Sequence, residues 1–355
     1  MRPACASLDG DALRHNLREV RTRARARVMA IIKANGYGHG LVWVAKNLPD
    51  ADGFGVASLE EGLELRAAGI SNDICLLEGF FEPAEIPLIV SERLTPVIHE
   101  SHQIAALQRF QAPRALDVWV KVDTGMHRLG FPAYELARIM ADLRAIPYIR
   151  HIGLLSHLAS AEMASSPTTR QQLAAFAGLK PTAAFYSLAN SAAILQWPAT
   201  HGDWVRPGLM LYGASPIPGE IGADFGLKPV MTLRSRLISV RRRARGDSIG
   251  YGGTYLCSED MPVGIVGLGY GDGYPRELSS TVSVLVRGQR APLIGRVSMD
   301  MLNVDLRSIP EAQVGDEVIL WGQGLPVEEI AEAAGTIPYT LLCGLTQRLP
   351  RRDLS

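Results

Sequence analysis

A chain of 355 residues, 47% of them hydrophobic, can bury a large core and is long enough for a barrel with a smaller companion domain. Its 36 basic and 36 acidic residues balance, which excludes a general attraction to nucleic acid or an anionic membrane and leaves binding to local sites. Four cysteines, at positions 5, 75, 257 and 343, have neither metal-ligand spacing nor the density of a disulfide scaffold. A reduced, cytoplasmic protein without a metal is expected, and no apolar span or basic-then-hydrophobic leader suggests a membrane or secretion.

In chain order, Leu8–Arg27 reads as a charged amphipathic helix with Asp9 as its cap. The run VMAII that starts at Val28 is a buried strand ending in Lys33, and a glycine-rich turn, Ala34–Gly40, carries Tyr37 and His39. A helix over Leu41–Leu48 stops before Pro49; Phe54–Ser58 is a strand, and Leu59–Ala68 a helix closed by Gly69. Ile74–Leu77 and Leu94–His99 are strands separated by the punctuated stretch Gly79–Pro87, and Ser101–Phe110 is helical. The alternation continues with strand Leu116–Val122, helix Pro132–Leu143, strand His151–Leu155, helix Thr169–Leu179, strand Phe185–Ala189 and a β run around Trp204–Tyr212.

Eight β regions before position 215, each followed by a helical or turn segment, predict a parallel (β/α)8 barrel. Lys33, Ser58, Glu78, His99, Asp123, His157, Asn190 and Arg206 then lie at or near successive strand carboxyl ends, the face on which barrel active sites are built. The rhythm changes after Pro229. Val230–Val240, Val263–Gly267, Thr281–Val286, Ala291–Val297 and Val318–Leu320 are short period-two runs with one helix at Pro326–Ala334, which predicts a mainly antiparallel β domain over 230–355 beside a barrel domain over 1–229.

Lysine is scarce, with Lys33, Lys46, Lys121, Lys180 and Lys228 the five in the chain, so two at strand ends stand out. An amine at the mouth of a buried strand can form a Schiff base with an aldehyde such as pyridoxal phosphate, and burial would make it more basic in role by favouring its neutral form. It can equally end a strand and face water; the local chemistry leaves both readings open.

The ordered motifs settle the matter further. AIIKANGYGHG around Lys33 resembles the pyridoxal-phosphate attachment motif of bacterial alanine racemases, and the resemblance runs on through VKVDTGMHRLGF (120–131), SHLASAE (156–162), NSA (190–192), WVRPGLMLYG (204–213), GYGGTY (250–255), GYGDGYPR (269–276) and GRVSMDM (295–301). It implies a head-to-tail homodimer in which C-terminal residues complete the opposite subunit's site, and a reaction interconverting L-alanine and D-alanine. Lys33 would hold the cofactor and act as one base, and Tyr251 of the partner subunit would be the opposing base. By the same resemblance Tyr37, Tyr339, Ser191 and the amides of Gly208 and Leu209 hold the phosphate. Arg206, with His157 in its network, faces the pyridine nitrogen, and His157 also assists Tyr251. Arg128 orients the cofactor's phenolic edge and approaches the substrate carboxylate, which Tyr270 and the Met299 amide complete from the partner.

Lys121 resembles a barrel lysine that is carbamylated in this family and then holds Arg128; an unmodified Lys121 paired with Asp123 stays open. Ser298 departs from the cysteine that many family members carry before the methionine matching Met299. That departure puts cysteine-dependent chemistry in doubt but not the backbone contact of Met299, while the missing cysteine-bearing motif and the lack of a separate basic patch argue against a decarboxylase on a related scaffold. The C-terminal motifs argue against a single-barrel cofactor carrier or a nonenzymatic interaction protein.

Overall fold

The computed structural model describes residues 2–278 and 282–354. Eight parallel strands, Arg27–Ile31, Gly53–Val56, Asp73–Leu76, Leu94–Ile98, Leu116–Asp123, Ile149–Leu155, Phe185–Asn190 and Trp204–Arg206, follow one another round a barrel. The last closes on the first where Trp204 pairs with Arg27 and Val205 with Val28. Parallel strands under a ring of helices are buried on both faces, which is why they read as near-continuous apolar runs. Val28, Phe54, Val56, Ile74, Val97, Val120, Leu154 and Val205 are accordingly all fully buried.

The expected helix at Leu8–Arg27 is shorter. Asp9 caps it as read, its carboxylate accepting the Ala12 amide at 2.9 Å, but the helix spans Gly10–Arg23 and Ala24 is already extended. Ahead of it, Cys5–Leu8 is a strand of the second sheet, antiparallel to Met231–Arg243 and parallel to Arg351–Asp353. Four residues carry too little periodicity to announce such a strand. The run at Trp204–Tyr212 also divides: the strand stops at Arg206, Pro207 has no N–H to continue a ladder, and Leu209–Tyr212 is a 3-10 turn.

The C-terminal sheet is built on Met231–Arg243, flanked by Met261–Val266 and Glu317–Trp321. A hairpin of Ser283–Val286 and Gln289–Ile294 and the strand Leu302–Asp305 extend it. Thr281, read as the start of a strand, lies outside the described residues. Helix Val327–Ala333 falls where expected, and helix Pro338–Cys343, absent from the sequence reading, brings the C-terminal domain back over the barrel mouth. Among the described residues no helix is long and apolar enough to cross a membrane.

Candidate active site

Beyond Ile31 the backbone enters a turn of left-handed residues. Ala34, Asn35, Gly36 and Tyr37 have φ of 54°, 54°, 61° and 51°, a conformation costing roughly 1–2 kcal/mol for each residue with a Cβ. The surroundings over-determine it. The Asn35 side chain accepts the Leu41 amide at 2.8 Å, the Asn35 carbonyl accepts the Gly40 amide at 2.9 Å, and the Ile32 carbonyl accepts the Gly36 amide at 2.8 Å. His39 adds a side-chain clasp. Its Nδ1 lies 2.9 Å from the Tyr37 carbonyl and 3.1 Å from that of Gly36, and since carbonyls only accept, Nδ1 carries the proton. The buried Nε2 has no hydrogen-bond partner among the described residues, and burial lowers the ring to about 4, so it is neutral.

This turn aims Lys33 and Tyr37 into a cavity of about 510 Å³ at the carboxyl ends of the strands, where Lys121, Arg128, His157, Asn190, Ser191, Arg206, Gly208 and Tyr339 also converge. Tyr37 is stacked on Tyr212 with centroids 4.6 Å apart, and Tyr339, from the C-terminal domain, tilts against it at 5.9 Å. Tyr212, at the end of the WVRPGLMLYG motif, is a brace the sequence reading missed: its hydroxyl donates to the Ile31 carbonyl at 3.1 Å, tying the stack to the strand before Lys33. Burial raises Tyr37 far above an ordinary phenol and Tyr339 to about 12, so both are hydroxyl donors. A Cβ on Gly208 would lie 2.5 Å from the Tyr37 oxygen. The Gly208 amide donates to Ser191 Oγ at 2.8 Å and the Met210 amide reaches the same oxygen at 3.4 Å, while Leu209 opens the 3-10 turn.

Deeper in the cavity the charge is positive. Arg206, 4% exposed, donates to Ser187 Oγ at 2.7 Å and to the Ser156 and Leu188 carbonyls at 2.5 and 3.4 Å. Burial lowers it to about 10, still a cation at neutral pH. Its hydrogen bonds thus run through Ser187 and two carbonyls, and Ser187 is a second partner the sequence reading missed. His157 is lowered to about 3 by burial and by Arg206, Arg128, Lys121 and Lys33 around it, and is neutral. Lys121 is lowered to about 8 by burial, then by Arg128, Arg206 and Lys33. Such a cluster suits a ligand that brings negative charge.

Arg128 sits on a loop organised by Asp123. The Asp123 Oδ1 accepts the amides of Gly125, Met126 and His127 at 2.9, 3.1 and 3.0 Å, and Oδ2 pairs with His127 Nδ1 at 3.0 Å. Burial alone would raise this carboxyl; the amide donors and His127 outweigh it and hold it below the usual carboxylate range. The partner of Asp123 is therefore His127, not Lys121.

Tyr251, Tyr270 and Met299 stand apart from the cavity, on the surface of the C-terminal domain with 66%, 36% and 52% exposure. They occupy adjoining loops: the Tyr270 amide donates to the Ser298 carbonyl at 3.0 Å and the Gly271 amide to that of Met299 at 2.9 Å. The residue at 298 enters these contacts through its backbone.

A (β/α)8 barrel with a lysine-bearing left-handed turn, a tyrosine- and serine-lined cradle and a companion antiparallel domain defines a two-domain barrel class suited to an anionic aldehyde cofactor. Residues 8–216 match the family model for the alanine racemase N-terminal domain and residues 230–353 that for the C-terminal domain. The chain is 53% identical over 348 residues to an alanine racemase of Nitrosococcus oceani, covering 98% of each, and 48% identical over 350 residues to one of a Shewanella species, covering 97% of each. The crystal structure of the biosynthetic alanine racemase from Pseudomonas aeruginosa is 48% identical with a TM-score of 0.97 over 100% of both chains. That of the alanine racemase from Acinetobacter baumannii is 39% identical with a TM-score of 0.95, covering 99% of this chain and 100% of the other. The chain belongs to the alanine racemase family.

Proposed function

We propose that this protein interconverts L-alanine and D-alanine with pyridoxal 5'-phosphate. The observation that carries the reading is the gathering of Lys33, Tyr37, Ser191 and Arg206 round one cavity while Tyr251 and Tyr270 are presented outward from the other domain. The donor set fits the cofactor: Gly208 leaves room beside the Tyr37 hydroxyl, and the surrounding cations favour an anion. When bound, the cofactor is an electron sink for the charge left at an amino acid's α-carbon when its proton departs.

In this reading Lys33 holds the cofactor covalently and, once released, exchanges a proton with the α-carbon from one face. Tyr251 of the partner subunit works from the other face, assisted by His157. Opposed bases are what inversion requires, because the proton must leave one side and return on the other. Tyr37, Tyr339, Ser191 and the amides of Gly208 and Leu209 would hold the phosphate; the single Gly208 N–H would exchange its bond to Ser191 Oγ for one to the phosphate, and Ser191 would donate its hydroxyl hydrogen. Arg206, held by Ser187 and two carbonyls, would present its cation towards the pyridine nitrogen, favouring the unprotonated ring and so limiting side reactions. Arg128, Tyr270 and the Met299 amide receive the substrate carboxylate.

Further parts of the reading are a homodimer with shared sites and a division of labour between a barrel domain over 1–229 and a completing domain over 230–355. A cytoplasmic role follows, in supplying D-alanine for peptidoglycan or in alanine catabolism through the D form. Lys121 is the proposed carbamylation site. Its neutral amine, favoured by the lowered pKa of about 8, bonds the carbon of CO2 and loses one proton, leaving an anion that accepts from Arg128. Labelled CO2 should give a carbamate carbon resonance that Lys121→Arg abolishes.

Chiral product analysis from each pure enantiomer in deuterated water tests the function. Both reactions should approach the same roughly equal mixture, as two mirror-image forms of equal free energy must, with deuterium at the α-carbon. Release of ethylamine and carbon dioxide, or no inversion with the cofactor bound, would overturn it.

A further inference from the structure

The loop that carries Tyr270 is held by a charged cluster that none of the roles above uses. Asp272, two residues on, is fully buried. Arg2 Nη1 and Nη2 grip its two carboxylate oxygens at 2.6 and 2.8 Å, Arg348 Nε lies 3.2 Å from Oδ1, and the Gly269 amide donates to Oδ2 at 3.0 Å. Three hydrogen bonds and the Arg348 ion-pair contact surround its two oxygens, and the two arginines come from opposite ends of the chain. Arg348 also pairs with Asp300, beside Met299.

We propose that Asp272, clamped by Arg2 and Arg348, is a positioning residue that fixes Tyr270 and the Met299 amide for the substrate carboxylate. This rests on the carboxylate-binding role proposed for those two groups. Within their own subunit Tyr270 and Met299 are exposed, so packing of their side chains against that subunit does not hold them. Their backbones are joined instead: Tyr270 and Gly271 donate to the carbonyls of Ser298 and Met299, and Thr346 Oγ1 donates to the Gly271 carbonyl at 3.1 Å. Gly269 lets this approach happen, since a Cβ there would overlap the Ser298 and Met299 carbonyls. The two loops are therefore joined, and the Asp272 carboxylate, beside the Thr346 backbone and hydroxyl contacts, is the charged tie between them and the chain ends. A buried ion pair is a poor way to gain stability relative to apolar packing, but its directed fork fixes orientation, and orientation is what a two-point carboxylate receptor needs.

The test is Asp272→Asn in the cofactor-loaded full chain, which keeps size and an acceptor for the Gly269 amide but drops the ion pairs. The KM for alanine should rise about 10-fold with kcat within about 2-fold, the signature of lost binding common to ground and transition states. The cofactor's absorbance and the sedimentation of the protein should be unchanged. Arg2→Ala should raise KM in the wild-type background and add nothing in the Asp272→Asn background, because its partner is already gone. Tyr270→Phe is measured alongside. If it raises KM and Asp272→Asn, or Arg2→Ala should the first variant not fold, does not, the clamp is overturned while the role of Tyr270 survives. If Tyr270→Phe leaves KM unchanged, that role fails and the clamp fails with it. A lowered melting temperature with kcat and KM intact also overturns the proposal, since it marks a merely structural ion pair.

Discussion

The α-carbon of Gly208 faces the Tyr37 hydroxyl so closely that a methyl group there would lie 2.5 Å from the oxygen. With φ of −119°, Gly208 is outside the left-handed region, so the requirement for glycine here is one of space. Gly208→Ala should therefore displace Tyr37 and weaken cofactor binding by about 1–3 kcal/mol, the usual range for overpacking a filled site. An absorbance titration with pyridoxal phosphate reads it. Unchanged affinity would mean that Tyr37 does not hold the phosphate.

Lys33 stands between the end of a strand and a strained turn whose geometry is held by Asn35 and His39. Borohydride reduction followed by peptide mass analysis should place the cofactor on Lys33. Lys33→Ala should carry no adduct and lose racemisation by several orders of magnitude, because covalent attachment and one proton route go together. An adduct on Lys121 instead would reassign the attachment site.

His39, buried, and His157, half-buried in the cavity wall among four cations, are both neutral rings, lowered to about 4 and about 3. An unfolded chain protonates each near its ordinary 6.5 while the folded chain does not. Stability is thus present above about 6.5 and is lost as pH falls towards 3–4, by roughly 2 kcal/mol per ring between about pH 7 and pH 5. Urea unfolding of the cofactor-free protein at those two pH values checks the loss, to which His99, also lowered by burial, adds in the same direction, and His39→Gln should remove about 2 kcal/mol of it. A flat profile would contradict neutral burial.

The barrel is legible because each strand is a short apolar run closed by a polar residue, and Lys33, Asp123, His157, Asn190 and Arg206 sit where those runs end. What the sequence conceals is pairing over long separations. Cys5–Leu8 becomes a strand only because Met231–Arg243 and Arg351–Asp353 lie on either side of it, and Arg2 meets Asp272 across 270 positions. The left-handed turn is half visible: its glycines are explicit, whereas Ala34 gives no sign of a positive φ, since tertiary contacts impose it. Tyr212 and Ser187 are likewise ordinary residues until the fold sets them against Tyr37 and Arg206.

Asp123 shows how a residue outside the cavity governs one inside it. It accepts three successive amides of the loop bearing Arg128, and losing a charged acceptor of that kind costs about 1.5–3 kcal/mol per bond at most. Asp123→Ala should lower kcat/KM for alanine by about 10-fold or more, with the cofactor still attached. Wild-type kinetics would mean that the loop is held by other contacts or that Arg128 does not meet substrate.

If one site is completed by two subunits, subunit exchange between two inactive proteins restores activity. Lys33→Ala and Tyr251→Phe dimers are mixed and allowed to exchange, and alanine racemisation is measured before and after. Two-fold symmetry gives each hybrid one site with both groups intact and one with both altered, so activity should return to about one quarter of the wild-type value at equal mixing. No recovery after exchange has been verified by mass-labelled subunits would contradict the shared site and place both groups' work within a single chain.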